Sequence, residues 1–248
     1  MEERNRITIL GTPVDCVTLA EAAARFAGIM EAEGGVCAQI ATPNSEMLWA
    51  ASKNEALRRA ISEAALVIPD GIGLVHASKI IGRPLSERVA GIDFLGEAAR
   101  CLAERGASAY FLGGAPGVAA RAAEKMVAAY PGLTAAGSRH GYFDPSEEES
   151  IVAEINESGA ALLCVALGSP KQELFIARHR TSLKAKVAVG VGGSLDVWAG
   201  DVKRAPAFFR DNGLEWFYRL VKEPRRIGRM MALPLFMVRV ALGGRGRT

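Results

Sequence analysis

The chain predicts an α/β fold, a largely parallel sheet sandwiched by helices, on three observations. Three short, strongly apolar runs, "SAYFLGG" (108–114), "LLCVALGSP" (162–170) and "AKVAVGVGG" (185–193), each reach a glycine-containing end. A strand that is apolar on both faces is one covered on both faces, as in parallel sheets flanked by helices. Helical periodicity over 117–130 and 146–158 separates the first two runs. The composition agrees: half of the 248 residues are hydrophobic but only 6% are aromatic, and there are 27 glycines. Small residues let helices lie close to a sheet, and this length is ample for one large domain with its own core.

The elements follow in order. Residues 6–10 (RITIL) read as a first strand and "GTPVDCVT" as a turn into a helix over about 18–33. "VCAQIATPN" (36–44) reads as a strand ending in a turn. "SEMLWAASKNEALRRAISEA" (45–64) then reads as one helix, with apolar residues at helical spacing. "ALVIPDG" (65–71) is the next strand and turn, followed by a helix over 72–81. A loop rich in Arg, Pro and Gly (82–92) precedes a helix near 93–105. No internal repeat or low-complexity linker is visible. The fold expected is therefore a Rossmann-like sandwich.

Several classes are disfavoured by composition. The four cysteines (Cys16, Cys37, Cys101, Cys164) show no metal-binding spacing and read as reduced core residues, which points to the cytoplasm. The three histidines are scattered, so no zinc site is expected. The N-terminus lacks an apolar signal-peptide segment, and no run of about 18 apolar residues would span a membrane. The net charge of +3 conceals an asymmetry. Residues 202–248 hold eleven Lys and Arg against three acids, a net +8, which leaves −5 on residues 1–201. The division expected is an α/β catalytic core over 1–201 and a basic amphipathic appendage over 202–248. Its dense Met, Leu and Phe content argues against nucleic acid as the partner.

In open parallel sheets ligands bind beyond the carboxyl ends of the strands. The unusual residues gather there: Thr42 and Asn44, Asp70, "GGAPG" (113–117), "GSPKQE" (168–173) and "GGSLD" (192–196). Asp70 stands between Pro69 and Gly71, in a turn. Two roles are open to it: a cap for the next helix, or a carboxylate held at the sheet mouth for acid–base work. "FLGGAPG" is half of a dinucleotide fingerprint without the G-x-G-x-x-G, equally readable as a tight turn. No P-loop, no G-x-S-x-G and no D-x-D occurs. A nucleotide whose phosphates are handled by backbone and cations, without metal or other cofactor, is the ligand this leaves. Lys171 and Gln172 read equally as an exposed helix start or as ligand contacts. Arg88 reads as a surface arginine or a diphosphate clamp on a mobile loop.

Taken together, "ATPNSE" (41–46), "IPDGIG" (68–73), "RPLSERVAGID" (83–93), "YFLGGAPG", "HGYF" (140–143), "VALGSPKQE" (165–173), "GVGGSLDVWAGDVKRAP" (190–206) and "GLEWFYRLVKEPRR" (213–226) occur in order. This series closely resembles the WecG/TagA/CpsF glycosyltransferases, over nearly the whole chain. The resemblance implies inverting, metal-independent transfer of N-acetylmannosamine from a UDP-sugar donor. The acceptor it implies is a polyprenyl-diphosphate-linked N-acetylglucosamine at the cytoplasmic face of the membrane, and the tail looks most like the teichoic-acid branch. Transfer of the uronic acid or of another UDP-sugar, and a non-catalytic UDP-sugar-binding module, are the alternatives.

The resemblance assigns Asp70 as general base. It places Thr42 and Asn44 near the sugar and the base, Arg88 and Gln172 at the donor's diphosphate and sugar, and Tyr142 and Asp196 on the uridine side. The turn glycines Gly113, Gly114 and Gly193 join that substrate-binding set. On a helix Arg219, Lys222, Arg226 and Arg229, spaced 3, 4 and 3, share one face, suited to an anionic membrane surface or the acceptor diphosphate. Peripheral association with the inner face of the membrane follows, with a homo-oligomer left open.

Overall fold

The computed structural model describes residues 5–222 and 232–243. Two strands, β1 (Arg6–Ile9) and β2 (Thr12–Asp15), form an antiparallel hairpin of their own. This corrects the reading of residues 11–18 as a turn. The hairpin closes through Leu10 (φ 49°) and Gly11 (φ 79°), the left-handed pair that matches the twist of a two-residue connection. Leucine is a rare occupant of such a position, so the turn carries no familiar signal.

The remaining strands, β3 (Ala38–Ala41), β4 (Leu66–Val67), β5 (Ser108–Gly113), β6 (Thr134–Arg139), β7 (Leu162–Ala166) and β8 (Val187–Gly190), form one parallel sheet. Its order is β4-β3-β8-β7-β5-β6. The α/β sandwich expected from the apolar runs is the fold observed. Strand β6 was not anticipated. Its sequence, TAAGSR, is polar and exposed over half its length because it forms an edge. Helices α1 (Leu19–Glu31), α5 (Gly91–Glu104), α6 (Val118–Ala129) and α9 (Ser194–Ala199) contribute to the core on one face. Helices α7 (Glu148–Glu157) and α8 (Lys171–His179) cover the other. Along β5 the pleat alternates between them: Ala109 and Phe111 join the first core, Tyr110 and Leu112 the second.

The segment expected as one helix over 45–64 is two, α2 (Ser45–Ala51) and α3 (Glu55–Ser62). Asn54 ends the continuity because its Oδ1 accepts the Leu57 N–H at 3.1 Å, starting a new helix. These helices, α4 (Ile72–Ile81) and the hairpin enclose a third core. Beyond α10 (Ala207–Asp211) and α11 (Glu215–Lys222), helix α12 (Ala232–Gly243) packs against α2 and α4 and buries Phe236 and Val240 in that core.

Asp15, fully buried at the end of β2, receives Arg6 Nε at 3.0 Å, Arg25 Nη1 at 3.1 Å and the Val67 N–H at 2.8 Å. Two arginines compensate the buried charge, and the hairpin is clasped to β4. β3 and β5 lead outward in opposite directions, to β4 and β6, with β8 and β7 between them. In such sheets ligands bind beyond the carboxyl ends of the strands, where the strand order reverses.

Candidate active site

Where β3 ends, Thr42, Pro43 and Asn44 turn the chain into α2. Thr42 Oγ1 donates to the Gly190 carbonyl at 3.0 Å and stitches the ends of two neighbouring strands together. Asn44 caps α2, its Oδ1 accepting the Met47 N–H at 3.0 Å. The Asp70 N–H donates to the Pro43 carbonyl at 3.0 Å, so the turn after β4 is held against the turn after β3.

Gly71, φ 90°, and not Asp70, occupies the N-cap position of α4. The Asp70 carboxylate faces the start of α5. A Cβ placed on Gly91 would lie 3.4 Å from Asp70 Oδ2 and 3.3 Å from Thr42 Oγ1. The bare backbone of Gly91 thus brings a partly buried carboxylate and a hydroxyl to one point at the sheet mouth.

The arginine-rich loop lies over this turn, with the Val89 N–H donating to the Pro69 carbonyl at 3.0 Å. Arg88 Nη1 donates to Glu215 Oε2 of α11 at 3.1 Å, both side chains largely buried. Arg204 pairs with Asp93 at 2.6 Å. Burial works to lower the Arg204 pKa, but the hydrogen bond and charge of Asp93, with the charges of Glu215 and Asp70, raise it. Asp70 therefore sits in the field of an arginine that stays cationic.

On the far side, Gly113 has φ 130°, and a Cβ there would lie 2.3 Å from the Ala166 carbonyl, so no other residue fits. The Gly114 N–H donates to Ala166 O at 3.0 Å, and the Gly114 carbonyl accepts the Gly141 N–H at 2.9 Å. Tyr142, the next residue, is 71% exposed. Gly193 precedes α9, 3.8 Å from Asp196 Oδ2 at its Cβ position. The Asp196 carbonyl accepts the Asp201 and Val202 N–H groups and steers the chain toward Arg204. Lys171 is exposed at the start of α8 while its neighbour Gln172 is buried, splitting the two expectations for that pair. Gln172 packs beneath Gly190.

Of the tail cations, Lys222 ends α11 with its ammonium 5.9 Å from the Tyr218 ring centroid. Arg226 and Arg229 lie outside the described residues, as does the side chain of Arg219. Gly91, Glu173, Gly190, Arg204 and Glu215 entered no sequence-based site set. Their signal lay in "VAGID", "KQE", "GVGG", "KRAP" and "GLEW" of the motif series. The four cysteines are free thiols, and burial pushes those of Cys37 and Cys164 up to about 12. Among the described residues no three His, Cys, Asp or Glu side chains form a cluster that could hold a metal ion. No described helix is long and apolar enough to cross a membrane.

A six-stranded parallel sheet covered by helices on both faces, with glycine turns and a carboxylate beyond the ends of its strands, defines a doubly wound α/β protein. The chain belongs to the glycosyl transferase WecG/TagA/CpsF family, whose model matches residues 7–248. It is 38% identical over 201 residues to an N-acetylglucosaminyldiphosphoundecaprenol N-acetyl-beta-D-mannosaminyltransferase of Bacillus spizizenii, covering 81% of this chain and 77% of the relative. A Staphylococcus aureus protein (strain MRSA252) of the same name is 33% identical over 244 residues, covering 97% and 95%.

Proposed function

We propose that the protein transfers N-acetylmannosamine, with inversion, from UDP-N-acetylmannosamine to polyprenyl-diphosphate-linked N-acetylglucosamine, in assembly of a wall teichoic acid linkage unit or related surface polymer. The observation that carries this reading is Asp70, a partly buried carboxylate that lies with the Thr42 hydroxyl against the bare backbone of Gly91 at the sheet mouth. The names of the relatives support the choice of sugar and acceptor.

In this mechanism Asp70 takes the proton of the attacking acceptor hydroxyl. The hydroxyl oxygen forms the new bond to the anomeric carbon from the face opposite the leaving group. The bond from that carbon to the diphosphate oxygen breaks, and its electron pair leaves with UDP. Negative charge grows on the diphosphate, and Arg88 is the residue assigned to receive it. Gln172 and Asn44 orient the sugar. Gly113, Gly114, Tyr142, Gly193 and Asp196 form the uridine side.

Residues 1–201 would then be the catalytic body and 202–248 the appendage that docks on the anionic inner face of the membrane. Two features support docking. The segment carries +8, and each cation near an anionic surface contributes about 1 kcal/mol. Its helices also expose Phe208, Trp216, Phe217, Leu235, Val238 and Leu242. The deciding experiment supplies UDP-N-acetylmannosamine and a short-chain polyprenyl-diphosphate-GlcNAc analogue and reads released UDP. UDP release that requires both substrates is the expected result, and none above the no-enzyme rate would overturn the reading.

A further inference from the structure

One carboxylate that this mechanism leaves unused is buried. Glu173, in the first turn of α8, is 1% exposed, and the groups acting on it are the Gln172 and Ser169 side chains and its own backbone, with no cation among them. Burial pushes its carboxyl up, and the hydrogen bonds from Gln172 and Ser169 pull it down. Burying such a group without a counter-charge is costly, so its placement calls for a physical reason.

The reason lies in the neighbouring amide. Gln172 Nε2 donates to Glu173 Oε1 at 2.7 Å. A carboxylate oxygen selects the amino end of an amide, because the amide oxygen in that place would face another acceptor. The Gln172 carbonyl is thereby turned the other way. Its Oε1 lies 3.8 Å from the Cβ position of Gly192, in the turn between β8 and α9, and has no hydrogen-bond partner although Gln172 is 96% buried by its 4% exposure. The arrangement is fixed from two further sides. A Cβ on Gly190 would come within 2.6 Å of Gln172 Nε2, so the glycine makes room for the amide. Gln39 Nε2 donates to the Glu173 carbonyl at 3.3 Å and anchors the start of α8 to β3.

We propose that Glu173 is a positioning residue: by holding the Gln172 amino group it presents the Gln172 carbonyl, at the Gly192 turn, as an acceptor for a hydroxyl or N–H of the donor substrate. The inference rests on the transferase reading above and narrows it. An acceptor repels phosphate oxygens, so Gln172 is assigned to a hydroxyl- or amide-bearing part of the donor and not to its diphosphate. The orphaned carbonyl, costly while unpaired, gains its partner when that part is seated.

The test is a double-mutant cycle of Glu173→Leu and Gln172→Ala in the full chain. It reads KM and kcat for UDP-N-acetylmannosamine alongside thermal unfolding. Glu173→Leu is expected to raise the donor KM roughly tenfold in the wild-type background, the worth of one buried hydrogen bond, with a smaller change in kcat. In the Gln172→Ala background the same substitution is expected to change KM by less than about twofold, since the residue it positions is gone. Should the leucine variant not fold, Glu173→Gln carries the same cycle. Glutamine can present either end to Gln172, so a rise of about threefold confined to the Gln172 background is expected. An unchanged KM, or equal losses in both backgrounds, would overturn the inference and leave Glu173 a purely structural residue. Wild-type protein that releases no UDP would instead overturn the transferase reading and this inference with it.

Discussion

Arg88 Nη1 donates to Glu215 Oε2 at 3.1 Å, and this one ion pair joins the loop above Asp70 to the first turn of α11. The side chains retain only 16% and 11% of their exposure, so removing one partner leaves the other poorly solvated. Glu215→Ala is therefore expected to loosen α11 from the body. Limited proteolysis should cut the segment 206–222 faster than in the wild type, while the main thermal transition of the sheet moves little. Unchanged cleavage would mean that α11 is held by other contacts.

Asp70→Asn is expected to lower kcat by on the order of 10² or more while UDP still binds, because the amide keeps the shape but cannot take a proton. Turnover near the wild-type rate, with binding followed by calorimetry, would remove Asp70 from the role of base.

Phe236 connects α12 to the body. It is fully buried among residues of α2, α4 and the β1–β2 hairpin. Phe236→Ala should destabilise the protein by roughly 3–5 kcal/mol, read as a lower midpoint in urea. A loss below about 1 kcal/mol would mean that the docked position of α12 is not the one that stabilises the fold.

Glu148 joins α7 to α8 through Arg178 Nη2 at 2.7 Å and His179 Nε2 at 2.9 Å. Burial alone would raise its pKa, but the hydrogen bonds and charges of His179 and Arg178 lower it below the usual carboxylate value. A depressed carboxylate contributes stability above its unfolded-state pKa and loses it as pH falls through the folded-state value. Stability should therefore drop on acidification below about 4.5, and Glu148→Gln should flatten that part of the profile. Identical profiles in chemical denaturation would show that other carboxylates account for the acid loss.

Binding of the full chain to anionic vesicles should weaken as salt rises, since the Debye length falls from about 10 Å at 0.1 M to about 3 Å at 1 M. The triple change Arg219, Arg226 and Arg229 to Glu should abolish co-sedimentation and most transfer activity, leaving the apolar surface intact. Salt-independent binding would point to the exposed Trp216 and Leu242 in place of charge.

The parallel sheet was legible because β7 and β8 are apolar throughout and β5 is apolar after Ser108, a pattern that burial on both faces requires. Asp70 was legible because proline and glycine isolate it at a strand end. Strand β2 escaped notice because four residues containing Pro13 carry little periodicity. The polar edge strand β6 lacked the same signal. Asn54 divides a segment otherwise made of helix formers. Two of the charged residues missed at the site, Arg204 and Glu215, have remote partners, 111 positions away for Arg204 and Asp93 and 127 for Glu215 and Arg88. No local pattern announces such pairs. Glu173 was quoted within a motif, but its bond to Gln172 depends on the first turn of α8 and on the gap left by Gly190.

The clasp made by Asp15 has an effect on assembly. β4 is a two-residue strand at the margin of the sheet, where bare backbone groups invite another chain to add a strand. Asp15 Oδ2 takes the Val67 N–H, and Arg6 Nη2 donates to the Ala64 carbonyl at 3.2 Å, so side chains of the hairpin occupy a donor and an acceptor there. The hairpin acts as a hem on this border. An incoming strand would have to displace an aspartate neutralised by two arginines before it could pair, and that barrier discourages edge-to-edge aggregation at this side of the sheet.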